Sequence, residues 1–297
     1  MPMRRPLYPA DEKHRSDKGS YKYTSRDHKA LLFVAQQKFV CFDQLGQFLA
    51  PDLSPATEIP HSSEEGAPLH GGRRSHLHWP QDRRKRIHAV AELARRWQNK
   101  MGFVDVWQPW SHEPPWLRIT QSGLLNLGLD WNELPFPEDR NRLTLTSHTY
   151  HITKRRLFLA NGGSHAPAHR WISERAIEAH QIKEGGVKIP HRPDGVMELL
   201  EEGMFPIIRN GSLIEEVPLA PGQHVAIEIE LTQKKFDRLG EHILPSLLNN
   251  YDFAWYYCGK KEVYDALVTA RRAYLQTDEE RKRLRIFLLE EKGQEIG

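Results

Sequence analysis

Val225-Ala226-Ile227-Glu228-Ile229-Glu230-Leu231 is the stretch from which the rest of the chain can be read. Apolar and other residues alternate, the period of a β-strand. Side chains on a strand point to opposite faces in turn, so Glu228 and Glu230 share one face, away from Val225, Ile227, Ile229 and Leu231. Upstream, residues 205–209 and 212–217 flank Asn210-Gly211, a dipeptide that supplies the positive φ angles of a type I′ hairpin turn. Residues 189–197, with a proline at 193, predict another strand, and residues 171–180 a helix with Trp171, Ile172, Ala176, Ile177 and Ala179 as its apolar members. Downstream, residues 235–250 read as a helix carrying Pro245, 253–258 as an aromatic strand and 284–290 as a last strand. Between those two strands, residues 261–275 read as an amphipathic helix with Val263, Ala266, Leu267 and Ala270 on one face. From Trp171 the order is one helix, four strands, then alternating helix and strand, which predicts an α/β sandwich rather than a bundle. With a helix over 146–159, carrying His148 and His151, this region spans residues 144–297.

The first half has a different grammar. Residues 1–22 are charged, poor in apolar side chains and interrupted by Pro and Ser, a composition expected to be disordered. Ala30, Leu31, Val34, Phe39, Phe42, Leu45 and Leu49 predict two short helices broken near Lys38. Residues 51–80 carry Pro, Gly and Ser without periodic apolar positions and predict a long loop. From Asp82, the residues Ile87, Val90, Ala91, Leu93, Ala94 and Trp97 recur at helical spacing, with Gly102 as the C-cap. Short β-pieces follow at 103–107 and 116–120, joined through Pro109, Pro114 and Pro115, and Thr120-Gln-Ser-Gly123 opens a short helix. Helix, helix, basic helix, β-ribbon and short helix is the order of a winged helix-turn-helix module over residues 23–131. Residues 132–143 then form a linker. The expected fold is α/β in the second half and α+β overall.

The chain has 297 residues, 42 Lys and Arg against 39 Asp and Glu, and a net charge of +3 that hides an uneven distribution. Basic residues crowd the first half, above all Arg83, Arg84, Lys85, Arg86, Arg95 and Arg96 on one predicted helix. Six cations on a helix are phosphate-binding candidates, and double-stranded DNA is the expected partner; basic patches alone do not exclude RNA. Tryptophans 79, 107, 110 and 116 are read as core or wing packing rather than base-stacking groups. No stretch approaches the roughly 20 apolar residues that span a bilayer. The opening residues lack the apolar core of a signal peptide. The two cysteines, Cys41 and Cys258, stand outside any metal or disulfide spacing, so a reducing cytoplasm without membrane attachment is expected. Sixteen histidines, including His76, His78, His148 and His151, occur without the spacing of a structural zinc site.

Chemistry concentrates in three acidic features: Glu174 in Trp171-Ile-Ser-Glu-Arg175, Asp194 in His191-Arg-Pro-Asp194-Gly195, and Glu228 with Glu230, followed by Lys234 and Lys235. Carboxylates gathered from neighbouring strands repel one another unless a cation sits between them. Hard oxygen ligands suit Mg²⁺ or Mn²⁺. Such an ion, with a lysine to orient water and offset phosphate charge, is the equipment of phosphodiester cleavage. Each feature also has a structural reading: Pro-Asp is a common turn dipeptide, Ile-Glu-Ile-Glu is what a half-buried edge strand looks like, and His191 is a surface histidine or a phosphate contact.

On these pieces the second half resembles the PD-(D/E)xK nuclease superfamily. The wider chain, from about residue 27 to about 275 and including Leu117-Arg-Ile-Thr-Gln-Ser-Gly123, resembles the plasmid replication-relaxation family. The resemblance implies a protein of a plasmid or mobile element that acts on DNA in replication, relaxation or mobilisation, alongside other replication proteins. It makes Asp194 and Glu228 metal ligands and Glu174 the helix carboxylate that some members add to the site; with the neighbouring Glu230 and Lys234 these are the candidate catalytic residues. One departure stands out: two residues after Glu228 the superfamily pattern has lysine, and this chain has Glu230, its lysines coming only at 234 and 235. Two expectations therefore stand side by side: a metal-dependent DNA endonuclease, or a non-catalytic DNA-binding factor whose nuclease-like domain mediates assembly.

Overall fold

A computed structural model describes residues 23–49, 83–108, 114–129, 142–160, 166–183, 191–209, 212–289 and 295–296. The expected N-terminal arm, the loop 51–80 with Trp79, His76 and His78, Trp110, most of the linker and the Asn210-Gly211 turn lie outside those residues.

The first half is built on α1 (Ser25–Gln36), β1 (Val40–Cys41), α2 (Phe42–Leu49), α3 (Arg83–Arg96), β2 (Val104–Trp107), β3 (Trp116–Ile119) and α4 (Gln121–Asn126). Thr24 starts α1 with a capping box: its hydroxyl accepts from the Asp27 N–H, and the Asp27 carboxylate accepts from the Thr24 N–H. Asp27 is fully buried and also takes the Arg96 guanidinium and the Trp97 indole N–H, 3.0 Å away. That one carboxylate ties the start of α1 to the end of α3. Helix α3 runs into a π-helical turn, Trp97–Met101, closed by Gly102 at φ 67°, a left-handed conformation that favours glycine. The strands form an antiparallel sheet in the order β1-β3-β2. Its core joins Leu31, Val34, Leu45, Val90, Trp97, Leu117 and Ile119.

Helix α5 (Arg142–Ala160) begins inside the stretch expected to be linker and leads into the second half. There β4 (His169–Ser173), α6 (Glu174–Lys183), β5 (Gly195–Leu199), β6 (Gly203–Arg209), β7 (Ser212–Leu219) and β8 (His224–Glu230) are followed by a π-helical turn (Arg238–Ile243). Then come α7 (Leu244–Asn250), β9 (Phe253–Cys258), α8 (Lys261–Tyr274), α9 (Asp278–Arg283), β10 (Leu284–Leu289) and β11 (Glu295–Ile296). The architecture is mixed α/β. Six strands form one sheet in the order β11-β10-β9-β8-β5-β4, with β6 and β7 as a separate hairpin. Strand β5 is antiparallel to both its neighbours, whereas β8, β9 and β10 are parallel.

Both sheet faces are covered. Ala226, Ala254, Tyr256 and Cys258 face the Arg238–Ile243 turn, α7 and α8 through Leu239, Leu244, Leu247, Val263 and Leu267. Val225, Ile227, Ile229, Trp255 and Tyr257 face α5 and the hairpin through Ile152, Leu159, Phe205 and Val217. Strand β9 is apolar and aromatic because it is buried on both sides.

Two elements differ from the expectation. Trp171 and Ile172 lie on β4, not on a helix, and α6 begins only at Glu174. Both Trp171 and Ser173 are buried while their neighbours are less so, a period of two that a five-residue strand displays only faintly beside the helical run that follows. The strand expected over 189–197 starts at Gly195, because the proline at 193 cannot donate to a ladder. Asp194 therefore stands at the mouth of the strand rather than within it.

The halves are joined by buried arginines. Arg175 of α6 donates to the carbonyls of Ala35 and Gln37, at the end of α1. Arg156 of α5 donates to the Gln36 side chain and lies 4.7 Å from the Phe33 ring centroid. Within the second half, Arg155 of α5 stacks 3.9 Å from the Tyr257 ring centroid. Burial pushes the Arg156 guanidinium down to about 9 and that of Arg175 to about 10.

Candidate functional site

The sheet's meander places the acids. Register pairs Ser173 with Gly195, and Gly195 with Ile227. One step outward lie Glu174, the first residue of α6, Asp194, just before β5, and Glu228, within β8. Asp194 precedes Gly195, the partner of Ile227, and so stands beside Glu228 in the register. Gly195 is needed here: a Cβ at this position would stand 2.1 Å from the Trp171 ring, so only glycine lets β5 pass beneath the indole and present Asp194.

Each acid has a base. The Asp194 carboxylate accepts from the Ile229 N–H at 2.7 Å and lies 3.2 Å from His148 Nε2 of α5. His148 Nε2 is also 2.8 Å from the Ile229 carbonyl. Burial opposes charge on His148, but the hydrogen bond to Asp194 and that carboxylate's charge outweigh it, and its pKa is raised to about 9. Glu228 is 3 % exposed, and His191 Nε2 lies 2.8 Å from its Oε1. Burial pushes the Glu228 carboxyl up to about 7, against the pull of the His191 hydrogen bond and with a further push from the Asp194 charge. Lys234 reaches back from beyond β8 to the Glu230 carboxylate. Burial works against its charge, yet Glu228, Glu230 and Asp194 together raise its pKa. Glu174 pairs at 2.6 Å with Lys38, which lies between α1 and β1 in the other half.

Of the expected set, Glu174 and Asp194 line one pocket, and Asp194, Glu228, Glu230 and Lys234 lie within electrostatic reach of one another. The lysine that pairs with the Glu230 carboxylate stands four residues on, at Lys234. Three participants were not read from the chain as site residues: Lys38, His148 and Gln37. His148 was considered only for zinc, and Lys38 only as a helix break. Lys38 meets Glu174 and Gln37 meets Thr153 from more than 100 residues away, and His148 meets Asp194 and Ile229 from dozens of residues away, so no local spacing announces them. Beside His191 the expectation of a surface histidine gives way to a carboxylate partner.

Among the described residues no group of three or more His, Cys, Asp or Glu converges as a ready-made metal cage. Mg²⁺ seldom requires one, since one or two carboxylates completed by water and substrate phosphate hold it. Asp194 and Glu228 offer two hard oxygen donors, and a cation would offset the cost of burying Glu228.

The basic helix divides. Arg84 on α3 is exposed. Arg86 is half-buried, its Cβ 3.3 Å from where a Cβ on Gly46 of α2 would stand. Arg95 pairs with Glu92 on the surface, while Arg96 is committed to Asp27. The side chains of Arg83 and Lys85 lie outside the described residues. Trp116 is buried, which bears out packing over base stacking for that residue. No helix among the described residues is long and apolar enough to cross a membrane. No protein-family model, no curated protein and no solved structure matches this chain.

Proposed function

We propose that the protein is a metal-dependent DNA nuclease, cutting or nicking double-stranded DNA that its N-terminal half grips as a winged helix, in the replication or mobilisation of a plasmid or other mobile element. The observation that carries the reading is the meeting of Asp194, Glu228 and the displaced Lys234 at one edge of a mixed sheet. The order α1, β1, α2, α3, β2, β3 supports the winged helix, with α3 as the element that meets phosphates.

Asp194 and Glu228 would hold Mg²⁺ or Mn²⁺, and the bound ion supplies Lewis acidity and a water of lowered pKa. The chain's own groups do the rest. The Ile229 N–H fixes the orientation of Asp194, and His191 fixes that of Glu228. Lys234, its pKa raised, stays protonated at neutral pH, so it acts as a charge that offsets the phosphate rather than as a base. The Arg84 side of α3 contributes affinity that falls with salt.

The test is nicking of supercoiled plasmid with Mg²⁺ or Mn²⁺. The parent chain is expected to nick. Asp194→Asn should lower the rate on the order of 10³-fold, about 4 kcal/mol of transition-state stabilisation, with DNA affinity kept. A second reading, a non-catalytic DNA-binding factor, is favoured by Glu230 where lysine is expected and by the base already paired with each acid. It predicts no cleavage in either protein at unchanged DNA affinity.

A further inference from the structure

Between the halves lies a small open cleft, lined by Gln36, Gln37 and Lys38 on one side and by Thr149, Ser173, Glu174 and Asp194 among its other walls. Two of its groups bear on what it could hold. Gln37 is 4 % exposed, and its Oε1 accepts from the Thr153 hydroxyl at 3.4 Å. Its Nε2 has no hydrogen-bond partner among the described residues. A buried amide donor left unpaired costs about 1–3 kcal/mol, so it marks a place where a polar ligand or a water belongs. Lys38 is the other. Its ammonium, 28 % exposed, rests on Glu174, and its charge is felt as far as His148, which it pulls downward. The ammonium thus stands at the cleft within electrostatic reach of the His148–Asp194 pair.

We propose that this cleft is a phosphodiester subsite built by both halves, with Lys38 and the Gln37 amide as its anion-binding groups. It rests on the nuclease reading for its purpose, because it puts a phosphate beside Asp194 and Glu174. A cation and a neutral amide donor suit a singly charged group whose charge is spread over two oxygens. A free carboxylate would meet the same donors, but one backbone unit of a nucleic acid already gripped by α3 arrives with far higher effective concentration. On entry the anion takes Lys38 from Glu174, and the released Glu174 carboxylate joins Asp194 at the sheet edge. The N-terminal half is then more than a DNA grip, since one of its lysines completes the site.

The decisive experiment titrates inorganic phosphate into the full chain in EDTA, read by calorimetry and by the ³¹P resonance. It uses the parent, Lys38→Met, Gln37→Met and Lys38→Arg. Lys38→Met is expected to weaken phosphate binding about tenfold, the loss of one charged hydrogen bond, with Lys38→Arg near the parent. Gln37→Met should weaken it less. Circular dichroism checks that each variant is folded. No phosphate binding by the parent, or equal binding by parent and Lys38→Met, overturns the subsite. The nicking assay separates the two readings. If the parent nicks and folded Lys38→Met nicks at the same rate, the subsite falls while the nuclease reading stands. If no protein nicks but phosphate binding still depends on Lys38, the nuclease reading falls and the anion site stands.

Discussion

Two buried acid centres in this chain are built on opposite terms. In the first half Asp27 is fully enclosed by donors that keep their protons at any ordinary pH: the Thr24 N–H and hydroxyl, the Arg96 guanidinium and the Trp97 indole. At the sheet edge of the second half, Asp194, Glu228 and Glu230 face His148, His191 and Lys234. Two of those partners are imidazoles, and the hydrogen bond to Asp194 helps raise His148 to about 9 against burial. The first centre fixes a helix start against a helix end. The second holds charge that can be redistributed when a cation or phosphate arrives. Burial alone does not separate structure from function; the exchangeability of the partner does.

The sharpest way to break that contrast is to remove Asp27. Asp27→Ala leaves a guanidinium and an indole N–H without their acceptor and dissolves a capping box. It should cost about 3 kcal/mol in urea unfolding. A loss below about 1 kcal/mol would show that Asp27 is not the structural centre described. At the other centre, His191→Ala frees Glu228 to turn and should lower nicking about 10- to 100-fold, with a much smaller effect on stability. An unchanged rate would make His191 a bystander.

The third probe is pH. In EDTA, the fold holds the Glu228 carboxyl up to about 7 and His148 up to about 9, so both bind protons more tightly folded than unfolded. Their stabilisation is present at acid pH. It is lost as pH rises through about 7 for Glu228 and through about 9 for His148. The melting temperature should fall by several degrees between pH 6 and 9, and His148→Gln should flatten the upper part of that fall. A melting curve insensitive to pH over this range would contradict the geometry at Asp194. The smallest effect belongs to the surface. Arg84→Ala should reduce the slope of log affinity against log salt by about 0.9 if that side chain meets one phosphate. An unchanged slope moves the DNA to another face.

How much of this could be read in advance depended on range. Strand β8 was legible because its alternation runs over seven residues, and Gly102 because a helix needs an exit that only a left-handed residue supplies. The acids were legible as types in an order. Their bases were mostly not. His148 meets Asp194 because α5 lies across the face of the sheet. Lys38 meets Glu174 because Arg175 and Arg156 hold α1 against α5 and α6. Each of these is a product of tertiary packing. One local misreading, β4 taken as helix, arose where a short strand runs without a breaker into a helix, so that local pattern favoured the longer element.

Arg156 and Arg175 have a consequence for where a cut would fall. Two guanidinium groups inserted across the seam leave the halves little freedom to swing, unlike modules strung on a loose tether. A nuclease built this way behaves as a ruler: the distance from grip to blade is constant, and incisions on a bound duplex would fall at one fixed offset rather than scatter along the strand.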